Sequence, residues 1–184
     1  VTAPVFVGPD TNRVPLAASF VTSQGAELTV LVNHFKSKGG DGTGENADQS
    51  DGQGNWNQRR TEASQAILTW IGANPTGSTD PDYMILGDLN AYDEEDPVTT
   101  LESGGFTDLV NQFQGDDAYG YVFDGRWGYL DYALANSSLL SQVLGAADWH
   151  INADEPDALD YDTSFNPPEW YEQNEFRSSD HDPV

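Results

Sequence analysis

Four short clusters carry the side chains with which this chain could do chemistry. The stretch "VNHFKSK" holds Asn33, His34 and Lys36, and "LGDLNAY" holds Asp88 and Asn90. Asp131 lies in "YLDYAL", and "SSDHDPV" ends the sequence with Asp180 and His181. Each cluster follows or closes a stretch that reads as a strand, and strand ends are where open α/β sheets gather their sites. Taken singly, each has a plainer reading. "GDLN" is built of turn residues, His34 reads as a satisfied buried histidine, and terminal residues usually fray. Asp131 is harder to set aside, because a carboxylate between Leu130 and Tyr132 needs a partner. His181 is a candidate: an Asp–imidazole bond fixes the tautomer and stabilises imidazolium, which is what a general base requires.

The elements that must position these groups are readable in outline. "RVPLAASF", "AELTVLVNHF", "DYMILGDL", "GYLDYALA" and "ADWHIN" read as strands. The second and third are apolar runs without clean alternation, as expected of strands covered on both faces. "KSKGGDGTGENADQSDGQGN" reads as a solvated Gly- and Asp-rich loop. In "NWNQRRTEASQAILTWIGANP" the apolar residues Ala63, Ile67, Trp70 and Ile71 recur at helical spacing, with Asn57 as N-cap. Arg59 and Arg60 then fall in the first turn, where the helix dipole disfavours cations by ~0.3–1 kcal/mol. That cost calls for a partner, a carboxylate first and a phosphate second. A shorter helix is signalled by "EDPVTTLESGGF", with Asp96 as cap, Pro97 at the first helical position and Gly104 or Gly105 at the stop. The segment from His150 to Ser178 reads as one long loop. The pattern predicts one domain over residues 1–184, an α/β (α+β) fold whose sheet carries helices on one face.

Composition restricts the function classes. Seven Lys plus Arg stand against 31 Asp plus Glu, a formal net charge of −24. Such a surface stays soluble and repels polyanions at long range, and strong salt screens it, the Debye length falling to ~3 Å at 1 M. A secreted or cell-surface protein of a saline habitat fits, and so does binding of hard cations by oxygen ligands. With no cysteine, disulfides and thiolate zinc sites are excluded. No run of apolar residues is long enough to span a membrane as a helix.

The ordered set "NHFKSK … R … GDLNAY … YLDYAL … SDHDPV" resembles the endonuclease/exonuclease/phosphatase superfamily, which includes deoxyribonuclease I. The run "NHFKSKGGDG…GQGNWNQRRTEASQAI" is most similar to the secreted bacterial extracellular nucleases of that superfamily. These motifs extend from His34 to His181.

The resemblance implies a fold, a reaction and roles. The fold is a four-layer αββα sandwich with mixed, mostly antiparallel sheets, of which this chain corresponds to the C-terminal half. The first half, with its metal-binding Glu, has no counterpart here and is an expected partner. The reaction is metal-dependent phosphodiester hydrolysis. By the resemblance, His181 is the base, Asp131 its orienting acid, and Asp88 positions the nucleophile or protonates the leaving oxygen. Asn90 and His34 contact the phosphate, and Arg60, Lys36 and Asn33 help to bind substrate. Asp180 and Asp88 face a divalent ion, Mg²⁺ in first place, with Ca²⁺ or Mn²⁺ as alternatives. The expected substrate is nucleic acid, DNA ahead of RNA, cut without strong sequence preference. Two readings stand beside it: a phosphomonoesterase or sphingomyelinase-type phosphodiesterase, and a non-catalytic Ca²⁺-binding or interaction module of a larger surface protein.

Overall fold

A computed structural model describes residues 3–159, 161–164 and 166–184. Five strands form one mixed sheet: β1 (Leu16–Val21), β2 (Glu27–His34), β3 (Tyr83–Asp88), β4 (Phe106–Asp108) and β7 (Asp131–Asn136). They lie in the order β1-β2-β3-β7-β4. Only β2 and β3 run parallel, as the long helical crossover between them requires. The other pairs are antiparallel. A separate hairpin pairs β5 (Tyr121–Phe123) with β6 (Arg126–Gly128). The helices are α1 (Asn57–Gly72), α2 (Asp96–Ser103), α3 (Leu109–Gln114) and α4 (Ser137–Leu140).

The main core lies between one sheet face and α1, α2 and α3. Leu31, Ile85 and Leu134 from adjacent strands meet Ala63 and Ile67 of α1 and Val98 and Leu101 of α2, all fully buried. The opposite face is treated unequally. Over β3 and β7, Met84, Leu86, Ala133 and Ala135 are covered by α4 and the turn after it, through Leu139, Leu140 and Val143. Helical cover is therefore not confined to one face, as the sequence pattern suggested. Over β1 and β2 the same face is open: Leu16 is 65% exposed, Phe20 59% and Val32 48%. On that face β2 is covered only in part, through Leu28, so its uninterrupted apolar run does not signal full two-sided burial.

Several element ends differ from their sequence expectations for identifiable reasons. Asn57 is the first residue of α1 rather than its cap; Trp56 holds that place in a left-handed conformation. The Asn57 side chain instead donates to Asp96 (2.7 Å), while Asn46 from the Gly-rich loop accepts the Arg59 N–H (3.0 Å). A residue remote in sequence thus satisfies the orphan donor. Helix α2 starts one residue earlier than expected, with Glu95 at the cap and Asp96 inside. "ADWHIN" forms no strand; the Trp149 N–H bonds to the Pro183 carbonyl (2.9 Å). The long segment 150–178 carries only short 3-10 turns among its described residues, and positions 160 and 165 lie outside them.

Candidate active site

Strand register assembles the site. In the β2–β3 pair His34 stands opposite Asp88, and in the β3–β7 pair Asp88 stands opposite Asp131. The three side chains therefore form a row across adjacent strands on one sheet face. Asp131 opens β7 instead of lying inside or beyond a strand; because β7 is antiparallel to β3, its beginning and the end of β3 share one edge. Close approach at this edge depends on Gly87, where a Cβ would fall 2.2 Å from the Asn33 carbonyl oxygen. With φ at 113°, it also occupies a region side chains rarely adopt.

The fourth member arrives from the end of the sequence. His181 pairs with Tyr121 through an isolated antiparallel bridge, and the Asp182 N–H donates to the Gly120 carbonyl (2.7 Å). Asp182 is 1% exposed. Its Oδ1 accepts the N–H groups of Ile151, Asn152 and Ala153 at 3.1, 2.8 and 2.9 Å, and its Oδ2 lies 2.9 Å from His150 Nδ1. Burial opposes the Asp182 charge, but these hydrogen bonds outweigh it and hold its pKa below the ordinary value. The final residues are thus stitched to the fold on two sides, which is how a terminal segment can carry a site residue. The His181 ring then lies with Nδ1 2.5 Å from Asp131 Oδ2, leaving Nε2 as its other ring nitrogen.

Electrostatics follow from crowding. Burial and the neighbouring Asp131 charge raise the Asp88 pKa to about 6, against hydrogen bonds from Asn90. Burial disfavours a charged His181, but the Asp131 hydrogen bond and the charges of Asp131, Asp88 and Asp180 win, so its pKa rises. His34 goes the other way, lowered by burial and by Arg13, whose guanidinium contacts Nε2; that same nitrogen is 3.4 Å from Asp88. Ligand atoms of Asp88, Asp131 and His181 all lie within 4.8 Å of one another. Asp180 stands beside this set, its Oδ2 3.9 Å from His181 Nε2, without joining it.

The carboxylates suit a hard divalent ion, since they crowd negative charge that Asp88 resists carrying and offer oxygen donors. The imidazole suits it less, its Nδ1 being committed to Asp131. Asp88 and Asp131, with Asp180 alongside, are therefore the residues that fit the ion, a set shifted from the expected Asp88–Asp180 pair.

Four expected roles change. Arg60 has no exposed surface: its guanidinium donates to the carbonyls of Lys36 (3.2 Å), Asn55 (2.9 Å) and Gln53 (3.2 Å) and lies 3.6 Å from Glu95. Burial pushes its pKa down to about 10. It anchors the Gly-rich loop to α1 and cannot reach a substrate phosphate. Asn33 is buried on the helix-covered face, donating to Leu31 O (3.0 Å), because neighbours on a strand face opposite ways and His34 holds the site side. Asn90 commits its amide to Asp88 Oδ2 (2.7 Å) and Phe35 O (3.2 Å), so it orients Asp88 and has no donor left for a phosphate. Lys36 places its ammonium over the Trp56 ring and against the carbonyls of Ser37 and Gly39, a loop role.

Two contributors escaped the sequence reading. Asp182 lies inside the quoted "SDHDPV", and its adjacency to His181 was the available signal. Arg13 sits just ahead of β1, and nothing in its local sequence ties it to His34.

No protein-family model matches the chain, and no curated protein matches its sequence. Solved structures resemble part of the chain. Beta toxin 275-280 from Staphylococcus aureus superposes with a TM-score of 0.50 at 16% identity, over 70% of this chain and 45% of that one. An endonuclease/exonuclease/phosphatase family protein from Bacteroides thetaiotaomicron gives 0.49 at 14% identity, over 67% and 42%. The human Nocturnin catalytic domain with bound sulfate gives 0.49 at 17%, over 69% and 42%. The chain spans less than half the length of each of these three structures, and what it shares with beta toxin is the fold of the matched region.

Proposed function

We propose that the chain is the C-terminal portion of an endonuclease/exonuclease/phosphatase domain and carries the base side of a metal-dependent phosphodiester-hydrolysing site. The observation that carries this reading is the convergence of Asp88, Asp131 and His181 at one sheet edge, with the imidazole already bonded to a carboxylate. In hydrolysis a water oxygen forms a bond to phosphorus as the bond to the leaving oxygen breaks. His181 Nε2 takes the water proton while Asp131 holds the resulting imidazolium. Asp88, oriented by Asn90, positions the attacking water, and the leaving oxygen takes its proton from solvent. His34, kept neutral beside Arg13, and the Arg13 guanidinium face the non-bridging oxygens. A divalent ion at Asp88 and Asp131, Mg²⁺ in first place, would add Lewis-acid stabilisation of the developing charge.

The proposed substrate is nucleic acid, DNA ahead of RNA, and the proposed setting is secretion into a saline medium, supported by the charge of −24. The open face of β1 and β2 supports a missing partner layer: Leu16, Phe20 and Val32 are what a second sheet would cover. The test is nicking of supercoiled plasmid by the chain, alone and mixed with or fused to a first-half segment of the superfamily, with Mg²⁺, Mn²⁺ or Ca²⁺ and with chelator. Sphingomyelin and inositol phosphate turnover are measured in parallel. Metal-dependent nicking abolished by His181→Ala is expected. Turnover of none of the substrates, or nicking indifferent to His181→Ala, would overturn the reading.

A further inference from the structure

Two cavities, of about 390 Å³ and about 310 Å³, share Tyr92 and Phe123 in their linings, and we call the smaller the inner one. The inner one adjoins the carboxylate–histidine cluster. Tyr92, Tyr121, Phe123, Leu130, Lys38 and Asn90 line it, with the Lys38 ammonium 4.7 Å from the centre of the Tyr92 ring. Two walls are tied directly to the candidate catalytic groups. Asn90 donates to Asp88 (2.7 Å), and the Tyr121 ring packs 4.5 Å from the His181 ring. Phe123 extends the aromatic wall, its ring 6.3 Å from Tyr121 and within 12° of parallel, while remaining 62% exposed. The Asp124–Gly125 turn, with φ of 55° and 73°, presents this ring at the hairpin tip.

The cations needed for an electrostatic grip on a polyanion are scarce here. Of seven Lys and Arg in the sequence, only Lys38 lines this pocket, and it is paired with the buried Glu95; Arg126 lines the neighbouring cavity, Arg13 sits at His34, and Arg60 and Arg177 are buried and bonded to backbone carbonyls. A chain of net charge −24 that handles a phosphodiester must therefore take much of its grip from uncharged contacts. Flat aromatic walls next to the reacting groups offer one that tolerates any sequence, since every base has a π-face. A sugar would need polar partners for its hydroxyls, and a second phosphate would need a free cation; this pocket supplies neither in quantity.

We infer that the Tyr92–Tyr121–Phe123 pocket is a base-stacking subsite for the nucleoside attached to the phosphate at His181. This rests on the phosphodiesterase reading for its place in a reaction, though its ligand can be tested without turnover. The experiment titrates the chain, in chelator, with deoxyadenosine 5′-monophosphate and with deoxyribose 5-phosphate, by NMR or equilibrium dialysis at 0.1 and 1 M NaCl. The expected result is at least about tenfold tighter binding of the nucleotide, with the ratio nearly unchanged by salt. Phe123→Ala, at an exposed position, should remove most of that ratio and leave deoxyribose 5-phosphate binding alone. Equal binding of the two ligands, no detectable nucleotide binding at millimolar concentration, or a ratio indifferent to Phe123→Ala overturns the subsite. So does a short-chain phosphatidic acid that binds the pocket in preference to the nucleotide. Stacking without cleavage of any ester would instead overturn the hydrolase reading and leave the subsite standing.

Discussion

His181 Nδ1 and Asp131 Oδ2, fifty positions apart in the chain, meet at 2.5 Å. The bond holds the ring in one orientation and favours its charged form, so the His181 pKa lies above an ordinary imidazole's 6.5. Such a group contributes stability that is fully present below the unfolded value and lost as pH rises through the folded one. Asp131→Asn should therefore lower the His181 titration, read from its imidazole resonances by NMR. Activity of an assembled enzyme should rise with pH through the elevated value in the wild type, and fall by ~10²–10⁴ in Asp131→Asn. An unmoved titration would show that the contact does not set the ring's basicity.

The second prediction concerns Asp182, whose carboxylate takes three backbone N–H groups and His150. Asp182→Ala strands those donors and frees the segment that carries His181. Unfolding by urea should reveal a loss of about 2–4 kcal/mol, and amide exchange at residues 151–153 should accelerate. Because the Asp182 pKa is depressed, its contribution is present above the ordinary carboxylate value and lost as pH falls through the folded one.

Asp148 provides the opposite case. Burial raises its pKa to about 6, despite the Gln114 side chain at 3.1 Å from Oδ2, and its Oδ1 has no hydrogen-bond partner among the described residues. For a raised carboxyl the stabilising contribution is present below the ordinary value and disappears as pH climbs through 6. Asp148→Asn keeps an acceptor for Gln114 and removes the charge. It should stabilise the fold at pH 7.5 by on the order of 1–2 kcal/mol and leave it nearly unchanged at pH 4, as thermal melts at the two pH values will check.

The open sheet face makes a fourth claim. Leu16 and Phe20 are more than half exposed on the β1 edge of the sheet, and a patch of that kind invites association. Phe20→Glu should lower self-association in sedimentation velocity while changing unfolding free energy by less than about 0.5 kcal/mol. Self-association unaffected by the charge would locate the sticky surface elsewhere.

Much of the main sheet was legible because β1, β2, β3 and β7 each carry enough apolar residues to declare themselves. Helix α1 was legible through its 3.6-residue recurrence. Strands β4, β5 and β6 are three residues each, too short to show a pattern; β4 is held by the distant β7, and β5 and β6 by each other across a two-residue turn. "ADWHIN" misled because its Trp and Ile imitate alternation, whereas Asp148 and His150 are bound to Gln114 and Asp182. For the site, the ordered motifs named His34, Asp88, Asp131 and His181, which the fold brings together at one sheet edge. Arg60 was misread because burial cannot be seen in a helix-start arginine, and its partners are loop carbonyls that any sequence would supply. Asn33 could have been separated from His34 by strand period alone.

The row of His34, Asp88 and Asp131 across three strands also says where this gene tolerates length change. An insertion in the exposed Gly-rich loop leaves all three opposite one another, since register is set inside the strands. A single codon gained or lost between Tyr83 and Gly87 would instead turn Asp88 toward the helices and Gly87's close contact into a clash. Deletion scanning across this chain should consequently reveal long tolerant stretches broken by a few intolerant windows only six to eight residues wide, matching β2, β3 and β7.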